Sequence, residues 1–349
     1  MVVDDNAGVH ILLGNLLAEY GYIVLPYTNG EDALNAVQSD APDLILLDIF
    51  MPDLDGYQVC ERLKQIDGIK DIPVIFVSGM NSLDDKMKGF KAGGVDYITK
   101  PFHPEEVRAR INTHINLSTL RHRLEYQSLV EKKIREVAEA QQATIFALAK
   151  LAEQRDGDTG GHLERVRDYC KLLAQQLAKG SPYADYITDE FIECIQHASP
   201  LHDIGKVAIP DSILLKPGKL TPEEFEIMQN HTIIGAENMQ SVYNKYPENP
   251  FIGMGIEIAL YHHERWNGKG YPDGLIGKNI PLSARIMAVA DFYDALRSDR
   301  CYRKGFDHDV VKNMLLEEEG TFFDPEIIKA FLAVEDTFCH IMDTETYTV

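Results

Sequence analysis

The sequence predicts two folded domains joined by a long helix, and the first of them is an α/β domain with a parallel sheet. In the first hundred residues an apolar run, Leu44 to Leu47, ends in Asp48, which is typical of a buried parallel strand. From Pro104 to Leu151 the chain has no glycine and no further proline, which predicts one helix. Histidines and aspartates recur through the second half. A length of 349 residues with 45% hydrophobic content is enough for two cores.

Polar side chains follow the strands predicted in the first domain. Asp48 stands at the end of its strand, before a turn built around Pro52 and Gly56. In open α/β sheets ligands bind at the carboxyl ends of the strands, so we expect the polar residues found there to lie close together. The others are Asp4, Asp5, Ser78 after the segment IPVIFV, and Lys100 before Pro101.

Together these residues resemble a two-component receiver domain covering Met1 to about His114. The resemblance implies a doubly wound five-stranded parallel sheet, a bound magnesium ion and a cognate sensor histidine kinase. The resemblance makes Asp48 the phosphoacceptor, with Asp4 and Asp5 holding the magnesium ion. Ser78 would bind a phosphoryl oxygen, and Lys100 would pair with that phosphoryl group. Tyr97 would be the aromatic residue whose orientation reports the switch to the phosphorylated state. Each residue alone could be a solvated polar group at a strand end, but their joint spacing argues against that.

The first strand of this domain is short. Only Met1, Val2 and Val3 precede Asp4, whereas the first strand of the family usually starts several residues earlier. A shortened central strand loses ladder hydrogen bonds worth about 0.5–1.5 kcal/mol each. We expect either a receiver of reduced stability or a natural start that lies upstream.

The segment from 104 to 151 predicts a linker helix that overlaps the last receiver helix. Apolar residues fall on positions typical of a coiled-coil seam, which Gln127, Glu131 and Gln141 interrupt. The seam residues are Leu117, Leu120, Leu124, Ile134, Ala138, Ile145 and Leu148. This pattern favours a parallel homodimer through the linker helix. The alternative is a helix that packs only on its own second domain.

The second half carries a set of candidate metal ligands: His162, His202, Asp203, His231, His262, His263 and Asp291. Imidazole and carboxylate together suit iron, manganese or zinc, whereas a structural zinc site more often uses cysteine. The ligands are too many for one ion. Two adjacent ions can hold the attacking and the leaving oxygen of a phosphoryl displacement, so the pattern indicates phosphoester hydrolysis.

Two histidine-bearing doublets carry most of this prediction. A lone His-Asp pair is most often a helix end or a surface pair, but HDIGK at 202–206 follows the apolar stretch Phe191 to Leu201, which places the doublet at the end of a buried helix. His262 and His263 would point about 100° apart on a helix, so we expect them to serve two neighbouring ions rather than one.

The order of motifs from about Ala143 to the C-terminus, residues 143–349, resembles the HD-GYP family of cyclic dinucleotide phosphodiesterases. The matching segments are RDGDTGGH, HDIGKVAIPDSIL, HTIIGAE at 231, HHERWNGKGYPDG and ARIMAVADFYDALRSDRCYRK. The resemblance implies an all-α domain of the HD superfamily that hydrolyses cyclic di-GMP to the linear dinucleotide pGpG, with onward cleavage to GMP left open.

Carried over by position, the family's metal ligands are the seven candidates above with Asp158 as the eighth. The family often has glutamate where this chain has Asp158. Because the aspartate side chain is shorter, the number of bound ions, two or three, is left open. The alternative is that Asp158 caps the helix carrying His162. The resemblance favours iron, with manganese next.

The resemblance also implies catalytic and substrate-binding residues. Lys206, beside His202 and Asp203, would neutralise charge on the phosphate during attack; otherwise it is a solvated lysine just past a helix. Gly270 and Tyr271 of the GYP segment would shape the pocket, where glycine permits close backbone approach, although Tyr271 could instead be a packing residue before Pro272. Arg300 and Arg303 would grip phosphates through charge-assisted hydrogen bonds, although surface arginines are mostly solvated.

The amino-acid composition limits the classes of binding partner and the cellular compartment that we expect for this chain. A formal charge of -21 argues against DNA binding, and no basic helix-turn-helix is present. We therefore expect the metals, Lys206, Arg300 and Arg303 to attract an anionic substrate locally. Neither a membrane span nor a signal peptide is evident, and the odd number of unpaired cysteines predicts reduced thiols in the cytoplasm. The five cysteines are Cys60, Cys170, Cys194, Cys301 and Cys339.

The two resemblances together imply a response regulator that hydrolyses cyclic di-GMP under the control of Asp48 phosphorylation, of either sign. One alternative keeps the enzyme but takes 3',3'-cGAMP as substrate. Another is a catalytically silent module that responds to cyclic dinucleotides through contacts. A third, a general phosphohydrolase acting on nucleoside phosphates, predicts turnover of mononucleotides.

Overall fold

The computed structural model describes residues 1–79, 83–156, 161–299 and 304–345. The chain divides into two compact units, Met1–Arg135 and Glu136–Val349. The first unit contains the sheet and the second is built mainly from helices.

The first unit is a five-stranded parallel sheet with the strand order β2-β1-β3-β4-β5, which confirms the predicted α/β fold. The inner strand β1 has only two residues, and both pair with β2 on one side and with β3 on the other. The strands are β1 (Val2–Val3), β2 (Pro26–Tyr27), β3 (Ile45–Asp48), β4 (Val74–Ser78) and β5 (Asp96–Thr99).

Alternate residues of the strands feed two cores, one on each face of the sheet. Val3, Leu47 and Phe76 belong to one core, whereas Leu46 and Ile75 belong to the other. This explains the continuous apolar runs, because a parallel sheet is covered on both faces. The helices of the receiver unit that precede the linker are α1 (Ala7–Glu19), α2 (Gly30–Ala36), α3 (Gly56–Leu63) and α4 (Leu83–Lys91).

A single helix, α5, runs from Pro104 to Glu153, where the sequence predicts one from 104 to 151. The boundary between the two units falls within it. Several of its large apolar side chains are exposed, among them Leu117, Leu120, Leu124, Ile134 and Leu148 of the predicted seam. None of the helices in the described ranges is long and apolar enough to cross a bilayer.

The second unit is a helical domain, as expected. Its core lies between α6, α11 and α13, where the Tyr169 and Phe338 rings stack at 4.2 Å and Tyr293 meets Phe338 edge-on. The helix α9 packs against α10 at the side of this core. The helices are α6 (His162–Leu177), α7 (Asp189–Ala198), α8 (Asp211–Leu214), α9 (Pro222–Tyr243), α10 (Pro250–Tyr261), α11 (Leu282–Arg297), α12 (His308–Glu317) and α13 (Pro325–Glu345).

Candidate metal centre and receiver pocket

Separate elements of the second unit bring the seven candidate ligands together. They are His162 at the start of α6, His202 and Asp203 between two short 3-10 turns after α7, His231 in α9, His262 and His263 at the end of α10, and Asp291 in α11. The ligand atoms form two groups, each spanning no more than 4.8 Å. One group is Asp203, His231, His262 and His263, and the other is His162, His202 and Asp291.

The two consecutive histidines differ from expectation. The helix α10 ends at Tyr261, so His262 caps it and His263 lies beyond it. Because the chain leaves the helix here, the two rings are not held at the helical spacing, and their centroids are 4.0 Å apart. Both rings offer an atom to the same group. The helical spacing assumed for the two histidines is therefore wrong, while the number of ions that they hold stays a prediction.

Asp203 connects the two groups. Its Oδ1 lies 3.2 Å from His231 Nε2 and 3.7 Å from His262 Nε2. Its Oδ2 lies 3.3 Å from His202 Nε2, in the other group. The same Oδ2 accepts a hydrogen bond from Lys206 Nζ at 2.7 Å. A carboxylate in this position can be shared by two neighbouring ions.

The buried histidines are oriented as metal ligands. The Nδ1 atoms of His202, His231 and His262 lie 3.0, 2.7 and 3.0 Å from the backbone carbonyls of residues three or four positions earlier. A carbonyl only accepts, so each Nδ1 carries the proton and each Nε2 keeps its lone pair. Within the described ranges these three Nε2 atoms and Asp203 Oδ1 have no hydrogen-bond partner. Buried polar atoms are nearly always paired, so this donor set fits bound divalent ions.

His162 is held by a carboxylate that sequence reasoning missed. Its Nδ1 lies 2.7 Å from Asp294 Oδ2, and the fully buried Asp294 also accepts two hydrogen bonds from Arg165. Burial alone would lower the pKa of His162, but Asp294 outweighs it and raises that pKa to about 9. Asp294 lies one helical turn after Asp291 on α11, and this spacing was the signal available in the sequence.

Replacing Asp294 by asparagine should lower the affinity for metal about 10- to 100-fold, the usual effect of losing a carboxylate that orients a ligating histidine. The amide keeps the shape but loses the charge that Arg165 and His162 share. A chelator competition titration measures the affinity. Asp309→Asn, on the exposed side of α12, is the matched control. Wild-type affinity in Asp294→Asn would show that this carboxylate does not position His162.

Burial favours the neutral form of His262 and His263, whereas at His202 the Asp203 carboxylate outweighs burial and raises the pKa. Burial lowers the pKa of His262 well below its usual value, and burial with the neighbouring His231 lowers the pKa of His263 to about 4. Burial opposes ionisation of Asp203, but Lys206 and His202 outweigh it and hold the pKa of that carboxyl low. Neutral imidazoles beside an ionised carboxylate are the protonation states that metal binding needs.

Of the residues predicted to act on the substrate, Lys206 and Tyr271 lie beside the candidate metal ligands, and Gly270 has a packing role. Lys206 sits in the 3-10 turn Ile204–Ala208, half-buried against Asp203, and is not a solvated lysine. The Tyr271 ring lies 4.8 Å from the His263 ring, inclined by 30°. A Cβ on Gly270 would come within 2.3 Å of the Arg265 backbone nitrogen, so packing of the loop on itself explains this glycine. Asp158, Arg300 and Arg303 lie outside the described residues.

A buried glutamate closes the GYP loop, and sequence reasoning missed it as well. Glu264 is 2% exposed. Its Oε1 accepts hydrogen bonds from the backbone nitrogens of Asp273 and Gly274, and its Oε2 accepts one from Leu275. These bonds fix the loop that carries Tyr271.

The strand ends of the first unit form an acidic pocket. Ligand atoms of Asp4, Asp5 and Asp48 lie within 4.8 Å of one another. Lys100 Nζ lies 2.8 Å from Asp4 Oδ2 and 3.1 Å from Asp48 Oδ1. Burial and the charge of Asp4 raise the pKa of Asp48. Ser78 ends β4 and is buried, as expected for a residue at the carboxyl edge of the sheet.

Tyr97 of β5 points into the first unit, where it is 6% exposed. Its hydroxyl donates to the Asp85 carbonyl of α4 at 2.8 Å, and its ring lies 5.3 Å from that of Phe76. A Cβ on Gly89 would lie 1.7 Å from the Tyr97 hydroxyl. Gly89 is therefore required for this inward orientation.

Comparison with known proteins agrees with this architecture. The response regulator receiver domain family matches residues 1–112, and the HD domain family matches residues 147–327. A Vibrio cholerae protein described as a probable cyclic di-GMP phosphodiesterase is 41% identical over 98% of this chain and 78% of its own length. The Xanthomonas campestris cyclic di-GMP phosphodiesterase response regulator RpfG is 37% identical over 95% of this chain and 86% of its own length.

A more distant relative has another named substrate. The 3'3'-cGAMP-specific phosphodiesterase 2 of Vibrio cholerae is 39% identical over 59% of this chain and 37% of its own length. The receiver match precedes the HD match without overlap, as the two units do in the structure. The chain therefore belongs to the HD domain family and carries a response regulator receiver domain at its N-terminus.

Proposed function

We propose that this chain is a response regulator that hydrolyses cyclic di-GMP to linear pGpG at a metal centre in its HD domain. The observation that carries the proposal is the position of Asp203, whose two oxygens face different groups of ligands. This arrangement fits two adjacent ions, the geometry suited to displacement at a phosphodiester. Two relatives described as cyclic di-GMP phosphodiesterases or probable ones cover nearly the whole chain.

Two divalent ions account for the described ligands, with iron preferred, manganese next, and Asp158 as the candidate ligand for a third. When bound, such ions supply an activated water and neutralise charge that develops on the phosphate. The Nδ1–H groups of His202, His231 and His262 donate to backbone carbonyls, and these hydrogen bonds hold the rings in place.

Lys206 acts on the phosphate directly in this proposal. Its ammonium group is fixed beside the shared carboxylate at 2.7 Å, so it can donate to a non-bridging phosphate oxygen as negative charge builds there. Tyr271, stacked beside His263, forms the wall of the substrate pocket. Phosphate grip by Arg300 and Arg303 remains part of the proposal from the family resemblance.

The test is hydrolysis of cyclic di-GMP by protein purified without oxygen, with metals counted on the same sample. A His202→Ala, Asp203→Ala double variant is the inactive control. Turnover at two or more metals per chain, lost in the double variant, supports the proposal. Faster turnover of 3',3'-cGAMP would favour the cGAMP alternative. Cleavage of mononucleotides would indicate a general phosphohydrolase, and absence of both metal and turnover would indicate an interaction module.

Phosphorylation is proposed to act at Asp48, with magnesium held by Asp4, Asp5 and Asp48. We expect acetyl phosphate with magnesium to label the wild-type chain and change its turnover, and Asp48→Asn to show neither effect. Phosphate-affinity electrophoresis and turnover are the measurements. Asp53→Asn is the matched control, because Asp53 is exposed at φ 72°, a conformation that asparagine also adopts. Labelling of the Asp48→Asn variant would show that a different residue is the phosphoacceptor.

Two partners belong to the proposal. A sensor histidine kinase would supply the phosphoryl group to the receiver. A second copy of the chain would pair in parallel through α5, whose exposed Leu117, Leu120 and Leu124 repeat at heptad spacing. Sedimentation of the full chain over a range of concentrations tests the homodimer, and a single monomeric species at all of them contradicts it.

A further inference from the structure

Phe225 of α9 is a large apolar side chain that is left 47% exposed. Single exposed apolar residues are common on protein surfaces and by themselves indicate nothing. Phe225 differs because its ring meets the Tyr271 ring edge-on, at a centroid distance of 6.2 Å and an angle of 82°. Tyr271 in turn stacks against the metal-ligand candidate His263. A row of three rings therefore leads from the metal centre to an exposed aromatic face.

The backbone that carries Phe225 is rigidly anchored. Thr221 caps α9 through a reciprocal capping box with Glu224, and Lys216 forms an ion pair with Glu224. Farther along the same helix, His231 contributes to the metal centre. Phe225 thus occupies a fixed position relative to the ligands, as a binding surface requires.

We infer that Phe225 is a stacking surface for a purine base of the substrate. This rests on the proposed function, in which the substrate is a cyclic dinucleotide. Each base of such a molecule is joined to the phosphodiester through one ribose, so a base must lie beside the reacting phosphate. Phe225 lies one ring beyond Tyr271, on the path leading away from His263. An exposed aromatic face is the group that recognises any nucleobase by stacking.

The test compares Phe225→Ala and Phe225→Trp with wild type in the full-length, metal-loaded chain. Loss of one base-stacking contact should raise KM and Kd for cyclic di-GMP about 5- to 100-fold in Phe225→Ala. The kcat and the metal content should stay within about twofold, because Phe225 is not one of the candidate metal ligands, and Phe225→Trp should restore KM. Ile227→Ala is the matched control, since Ile227 is an exposed apolar residue of the same helix.

The outcomes separate this inference from the proposed function. Wild-type turnover with an unchanged KM in Phe225→Ala contradicts the stacking role of Phe225 and leaves the proposed activity intact. A parallel fall in kcat and metal content would show that Phe225 only supports the fold, and this also overturns it. If the wild type binds cyclic di-GMP without cleaving it, the proposed activity fails, while Kd measured by equilibrium dialysis still decides the role of Phe225. If the wild type neither binds nor cleaves cyclic di-GMP, the proposed activity and the stacking role of Phe225 are both contradicted.

Discussion

Replacing Asp203 by asparagine should lower kcat for cyclic di-GMP by at least about 10³-fold, equivalent to roughly 4 kcal/mol of transition-state stabilisation. Both oxygens of this carboxylate are in use: Oδ1 faces His231, and Oδ2 faces His202 and Lys206. An amide has one acceptor oxygen and no charge, so its NH2 group must take the place of one of the two carboxylate oxygens, and an NH2 group cannot serve as a ligand for a cation. One of the two proposed ions would lose its oxygen ligand, and both would lose the negative charge.

Turnover and metal content of the same preparation decide this prediction. Asp185→Asn, an exposed carboxylate of the same unit, controls for the loss of one negative charge. A variant at Asp203 that keeps more than a tenth of wild-type turnover with a full complement of metals would exclude the shared-carboxylate geometry.

Adding one methyl group at Gly205 should lower turnover about 10²-fold, the effect of a misplacement of about 1 Å in an active site. A Cβ here would lie 1.9 Å from the His231 carbonyl oxygen and 2.7 Å from the Gly235 nitrogen. Both are backbone atoms that cannot rotate away. The turn carrying Lys206 must therefore separate from the helix carrying His231.

The same contact supplies its own control. A Cβ on Gly235, on the other side of this contact, would meet the Gly205 nitrogen at 3.3 Å and an Ile204 methyl at 3.4 Å, which small shifts can accommodate. In the interior of a helix such as α9, alanine is also more favourable than glycine by about 1 kcal/mol of helix propensity. We expect Gly235→Ala to keep most of the turnover. Equal losses in the two variants, at unchanged helical circular dichroism, would contradict the backbone contact.

Much of the fold follows from local pattern. The apolar run ending in Asp48 predicted β3, because a strand covered on both faces has no polar alternation. The histidines and aspartates of the second half could be assigned to one centre because their residue types have few other reasons to recur among apolar segments. The single helix from Pro104 followed from the absence of helix breakers.

Other features depend on geometry that a sequence does not display. Asp294 matters because α11 turns it toward His162, and a helix-face register across two distant segments cannot be deduced from one chain. Glu264 acts on backbone nitrogens of residues 9 to 11 positions later, which have no side-chain signature. The end of α10 at Tyr261 placed both following histidines in one group, and helix ends are set by tertiary packing to within a residue or two.

The buried ligand atoms that lack hydrogen-bond partners among the described residues have a consequence for the lifetime of the protein. Each such atom costs about 1–3 kcal/mol, against a typical domain stability of about 5–15 kcal/mol. Metals that satisfied them would therefore also hold the turn after α7, the helix α9 and the end of α10 together. Calorimetry should show a lower melting temperature after chelation, and an unchanged one would contradict this. Metal supply would then set the amount of folded chain in the cell as well as its rate of turnover.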